Sequence, residues 1–143
     1  MLQEQYVSFE TAKLLKEKGF DEKCHKVYLY DGTILWSDCF MEGESFVDYH
    51  DIELAANYDG WIVYTQGDYA FLCPTQQMAM QWLREHNIDI IPFHEILDGD
   101  VYWCRIEKKY GNLLHTELQQ DPVYKTYEES VEEAIKYSLE NLI

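Results

Sequence analysis

The segment HKVYLYDGTILWSD, residues 25–38, constrains the fold more than any other. Apolar and polar side chains alternate on either side of Asp31-Gly32, a preferred central pair for a tight turn. Period-two alternation about such a turn means two antiparallel strands, and an isolated hairpin needs a third strand or a helix to cover its apolar face. A two-residue type I′ turn opposes residues whose numbers sum to 63, so Cys24 is expected to face Cys39 and His25 to face Asp38. Val27, Leu29, Ile34 and Trp36 then share one face with the His25/Asp38 pair at its end. Cys24 and Cys39 fall on the other, with Tyr28 and Tyr30.

Helix signals flank this hairpin. Ser8 is placed to cap a helix running to Lys18, with Ala12 and Leu15 on one face and Gly19 to stop it. WIVYT (61–65) and YAFLC (69–73) read as a second hairpin about Gln66-Gly67-Asp68. Pro74 forces Cys73 towards extended geometry, and Thr75 caps a helix to about His86 with Ala79, Trp82, Leu83 and His86 on one face. NIDIIPF and DVYWCRIEKK predict strands about Asp98-Gly99, and Pro92, which cannot donate to a ladder, marks an edge or a bulge. A further strand is expected near Leu114. Thr126 and Glu129 form a T-x-x-E capping box, followed by a helical stripe of Val131, Ala134, Ile135, Leu139 and Leu142.

Tight turns between neighbouring strands imply an antiparallel sheet. The expected class is α+β: a sheet of β-hairpins with about three amphipathic helices packed on one face. With 143 residues the chain reads as a single α+β domain carrying an acidic loop insertion at about 39–60, where DIELAAN could form a short helix. Residues 8–36 also align without gaps on 75–103, sharing Ala12/Ala79, both Asp-Gly pairs and Trp36/Trp103. Generic αββ assembly explains this as well as duplication does.

Charge bears on function. From Val27 to Leu83 there is no Lys or Arg, while Asp31, Asp38, Glu42, Glu44, Asp48, Asp51, Glu53, Asp59 and Asp68 sit among aromatic residues. With a formal net charge of -16, such a surface repels nucleic acid and anionic membrane and attracts basic protein surfaces or cations. Tyrosine joins apolar area to a polar tip, which suits interfaces. The expected binding surface is therefore Asp38, Glu42, Glu44, Asp48, Tyr49, Asp51, Glu53, Tyr58, Asp59, Tyr64 and Asp68.

Catalytic signatures are missing: there is no G-x-S-x-G, H-E-x-x-H, P-loop or G-x-G-x-x-G. The four cysteines form no CxxC, so free thiols are expected. Cys24 and Cys39 with a third ligand, or His50 within the Asp48/Asp51/Glu53 cluster, are the metal candidates, although no EF-hand spacing or turn glycine is present. No cofactor is expected. No apolar run reaches membrane-span length, and MLQEQYVSFETAKLL has no basic start followed by an apolar block, so a cytoplasmic protein is expected.

YVSFETAKLLKEKGFDE (6–22), CPTQQMAMQWLREHNIDI (73–90) and YKTYEESVEEAIKYSLENLI (124–143) resemble small uncharacterised proteins encoded by phages, prophages and mobile elements of gut anaerobes. In those proteins VSFE-AKLLKEKGF, PTQ-LAQKWLRE and YETYEEALE recur. The resemblance implies an intracellular accessory protein and assigns no site residue. The leading expectation is a non-enzymatic protein that binds a basic partner through its acidic, tyrosine-rich surface, without direct contact to nucleic acid. The alternatives are a DNA mimic that inhibits a nucleic-acid-binding protein, a small metal-dependent enzyme, and homo-oligomerisation through sheet edges or the terminal helix.

Overall fold

The computed structural model describes residues 4–58, 70–110, 113–119 and 123–143. They form an α+β arrangement of four helices and two three-stranded antiparallel sheets. The expected class holds, but a fourth helix is present and the strands make two sheets rather than one. The chain divides into two compact units, Tyr6–Pro74 and Met1–Gln5 with Thr75–Ile143.

In the Tyr6–Pro74 unit, α1 (Phe9–Glu17) starts at Ser8, whose hydroxyl accepts from the Thr11 N–H at 3.2 Å, and Gly19 ends it at φ +94°. β1 (Lys26–Leu29) is central, between β2 (Ile34–Trp36) and β3 (Ala70–Cys73). α1 packs against β3, and Ala12, Leu15, Phe20, Val27 and Leu72 are among the residues that form the core. The expected pairing of YAFLC with WIVYT falls partly on residues outside those described. The described part, β3, pairs with β1.

The β1–β2 hairpin is present, but its register differs from the expected one. Lys26 faces Trp36, Val27 faces Leu35 and Tyr28 faces Ile34, so opposed numbers sum to 62. A type I′ turn needs positive φ at both central residues, and here Gly32 alone adopts it, at +86°. Asp31 instead accepts from the Thr33 N–H through Oδ1 (3.0 Å), while the Gly32 N–H reaches the Leu29 carbonyl (2.9 Å). The loop is therefore Tyr30-Asp31-Gly32, one residue longer than expected. A one-residue slip turns every β2 side chain over, and Ile34 and Trp36 lie on the face opposite Val27.

The expected acidic loop is largely structured. Ser37–Cys39 forms a 3-10 turn, and α2 spans Tyr49–Tyr58. In the second unit, α3 (Gln76–Glu85) is capped by Thr75 accepting from the Met78 N–H at 3.1 Å, and Asn87, at φ 64°, terminates it. β4 (Ile88–Leu97), β5 (Gly99–Tyr110) and β6 (Leu113–Gln119) follow in that spatial order, with a bulge between Lys108 and Lys109 and Pro92 on an edge strand. α4 (Tyr127–Asn141) carries its Val131, Ala134, Ile135 and Leu139 stripe buried, and its Thr126 cap accepts from the Glu129 N–H. The αββ resemblance stops at the third strand: it joins the first strand of the pair in one unit and the second strand in the other.

Candidate functional site

Register decides where the candidate residues lie. Cys24 does not face Cys39. It makes a two-bond bridge with Val47 (2.8 and 2.9 Å), and its buried thiol donates to the Glu22 carbonyl. Burial, chiefly, pushes that thiol well above its ordinary pKa, with Cys73 nearby adding to the effect. Cys39 is exposed on the 3-10 turn. His25 does not oppose Asp38 either; its carbonyl accepts from the Ser37 N–H at 2.7 Å.

The Asp48/His50/Asp51/Glu53 cluster is a helix start. Asp48 Oδ1 accepts from the Asp51 N–H (3.0 Å) while Asp51 Oδ2 accepts from the Asp48 N–H (3.1 Å), a reciprocal capping box. Asp21 Oδ1 takes the Tyr49 N–H at 3.0 Å, and Lys23 lies 3.7 Å from Asp51. Three carboxylates thus gather at the positive end of α2. Burial pushes the Asp48 carboxyl up, but the bonds from Asp51 and the charge of Lys23 outweigh it and hold the group below its ordinary value. His50 and Glu53 are exposed on α2. Among the described residues no group of three or more His, Cys, Asp or Glu gathers to hold a metal ion.

Tyr49 is engaged inside its unit: its hydroxyl accepts from the Leu72 N–H at 2.9 Å, and its ring lies 4.8 Å from the Lys16 ammonium. Tyr58 ends α2, and Asp59, Tyr64 and Asp68 lie outside the described residues.

The remaining acids come together elsewhere. A turn over Met41–Glu44, closed by the Glu44 N–H on the Met41 carbonyl (3.0 Å) with Gly43 at φ +82°, folds back on β1 and the 3-10 turn. Ser37 Oγ donates to the Glu44 carbonyl (2.9 Å), and His25 Nδ1 donates to the Ser45 carbonyl (2.8 Å). A carbonyl only accepts, so the His25 proton sits on Nδ1. Ser37 and His25 are each spent on backbone rather than on one another, and they do not form a nucleophile–base pair.

These ties shape a groove of about 390 Å³ lined by His25, Trp36, Ser37, Asp38, Gly43, Glu44 and Ser45. Trp36 is 55% exposed, and Ile34 (44%) and Phe46 (43%) stay open beside it. Asp38, Glu42 and Glu44 are exposed around the same turn. The Phe46 ring lies 3.9 Å from the His25 ring, tilted by 36°, and Lys26 places its ammonium 4.6 Å from the Trp36 centroid and 3.9 Å from that of Tyr6. Of the expected surface, Asp38 and Glu44 are brought together in the groove and Glu42 is exposed on the adjoining turn, whereas Asp48, Tyr49 and Asp51 are built into α2 and its packing. Trp36, Ile34 and Phe46 are the members that sequence reasoning missed. Compared with family models, curated proteins and solved structures, the chain matches none.

Proposed function

We propose that this protein is a non-enzymatic accessory protein of a phage or mobile element, and that it binds a protein partner with a basic surface through the Trp36 groove. The carrying observation is the half-exposed Trp36 ring in a groove it shares with exposed Asp38 and Glu44. A large flat aromatic supplies apolar contact area with little conformational entropy to lose, and it is the residue type most often dominant at interfaces. Carboxylates at the rim speed encounter with a basic surface and reject acidic ones. Lys26, 4.6 Å from the Trp36 centroid, offsets part of that field, and the sequence from Val27 to Leu83 adds no further Lys or Arg.

Capture from bacterial lysate by the tagged full-length chain, with nuclease and at two salt concentrations, tests the reading. A basic protein held at low salt should be released at high salt and lost from the variant combining Trp36→Ala, Asp38→Lys and Glu44→Lys. Equal capture by that variant overturns the reading.

A further inference from the structure

Among the described residues β2 is an edge strand paired on one side, and the direction of its backbone groups follows from the hairpin register. The Leu29 N–H bonds to the Thr33 carbonyl and the Ser37 N–H to the His25 carbonyl, both at 2.7 Å, so odd-numbered β2 positions exchange bonds with β1. In an antiparallel pair the intervening residues turn their polar groups away from the partner. The N–H groups of Ile34 and Trp36 and the carbonyl of Ile34 therefore point outward, and none of them has a partner among the described residues. Apart from its shortness, Ile34-Leu35-Trp36 carries none of the lysines, prolines or bulges that close a sheet edge.

We infer that this edge receives an extended segment of the partner as an added strand. An apolar side chain of that segment lies against Ile34 and Trp36, and a lysine or arginine two residues along on the same face lies over Asp38 and Glu44. The inference rests on the protein-binding reading and specifies the chemistry of its ligand. Period-two alternation sends the second side chain from the open Ile34/Trp36 surface into the groove that Trp36 shares with the two carboxylates. Charge selects this occupant over a second copy of the chain. Two-fold edge pairing of two copies is antiparallel, so centred on Leu35 it would set Asp38 against the Asp31-Gly32 turn of the second copy, acid beside acid, on chains of net charge -16 each.

The probe is a nine-residue peptide of sequence Val-Thr-Arg-Thr-Val-Thr-Arg-Thr-Val, which alternates valine and arginine along one face, beside its counterpart with glutamate in place of arginine and a copy of the Val/Arg peptide N-methylated at alternate residues. Binding to the full-length protein is read by amide hydrogen exchange and titration. The Val/Arg peptide should bind, protect the Ile34 and Trp36 amides, and lose affinity on N-methylation. Ile34→Pro removes the outward N–H together with the isoleucine side chain, and the folded hairpin can be verified from dispersed amide resonances; it should weaken binding about tenfold. Ile34→Ala keeps the donor and controls for the lost side chain. Val/Arg binding that survives N-methylation and Ile34→Pro but disappears with Asp38→Lys and Glu44→Lys overturns strand addition and leaves the acidic binding surface standing. Equal binding of the glutamate peptide overturns the charge assignment. Lack of peptide binding overturns strand addition alone if lysate capture still depends on Trp36, Asp38 and Glu44, and both readings if it does not.

Discussion

The phenolic oxygen of Tyr49, on helix α2, accepts a hydrogen bond at 2.9 Å from the backbone N–H of Leu72, on strand β3. Leu72 is buried, so its N–H needs a partner there. Burial pushes the Tyr49 hydroxyl well above its ordinary pKa and keeps it protonated. Tyr49→Phe should lower stability by about 1–3 kcal/mol, read as a reduced urea midpoint, because it strands a buried donor. Partner capture by the folded variant should be unchanged. A loss of capture without a loss of stability would return Tyr49 to the binding surface.

Asp48 and Asp51 cap one another across the first turn of α2. Asp48→Ala should cost about 1 kcal/mol, and Asp48→Asn less, since asparagine still accepts from the Asp51 N–H. The folded carboxyl lies below its ordinary pKa, so its charge contributes stability above that value and loses it as pH falls through the folded pKa. The difference in urea midpoint between the native protein and Asp48→Asn should therefore shrink below about pH 3.9.

Gly32 carries the three-residue loop at φ +86°, with open space where a Cβ would stand except for Phe9 at 3.9 Å. Conformation rather than crowding opposes substitution. Gly32→Ala should cost about 1–2 kcal/mol, and Gly32→Asn less, because asparagine tolerates left-handed backbone. Thermal unfolding of the two variants separates these effects; equal costs would point to crowding by Phe9.

Three of the four cysteines are buried and Cys39 is exposed. A brief maleimide pulse on the native protein should add one label, at Cys39, and unfolding should raise the total to four. A Cys24–Cys39 disulfide after mild oxidation would contradict the observed register.

What could be read in advance depended on how local the physics was. Ser8, Thr75 and Thr126 announced their helices because a short polar side chain before an amphipathic run satisfies orphan N–H groups from within the same few residues. α2 was harder. Among the described side chains of YHDIELAANY, those of residues 49–55, only Ile52 and Ala55 are buried, and its D-x-x-D cap has the composition of a cation-binding loop. Asp-Gly fits both a two-residue and a three-residue hairpin loop, and the choice turned on the sign of φ at Asp31. That one angle moved Trp36 and Ile34 from the face of Val27 to that of Tyr28, at whose margin both stay exposed. The bond from Asp31 Oδ1 to the Thr33 N–H is the local signal that could have revealed it. The β1–β3 pairing joins residues more than forty positions apart, which no local pattern encodes.

The Val7 N–H donates to the Pro74 carbonyl at 3.0 Å, so the unit that starts at Tyr6 and ends at Pro74 has its two ends fastened together. In the other unit, the Gln76 N–H donates to the Gln5 carbonyl at 2.8 Å, closing the backbone on either side of the insertion point. A segment whose ends meet can be spliced into a host chain at one position without prising its flanks apart. The groove, the edge strand and the capped α2 all travel within that segment, which makes residues 6–74 a portable cassette that another scaffold could display from a single surface loop.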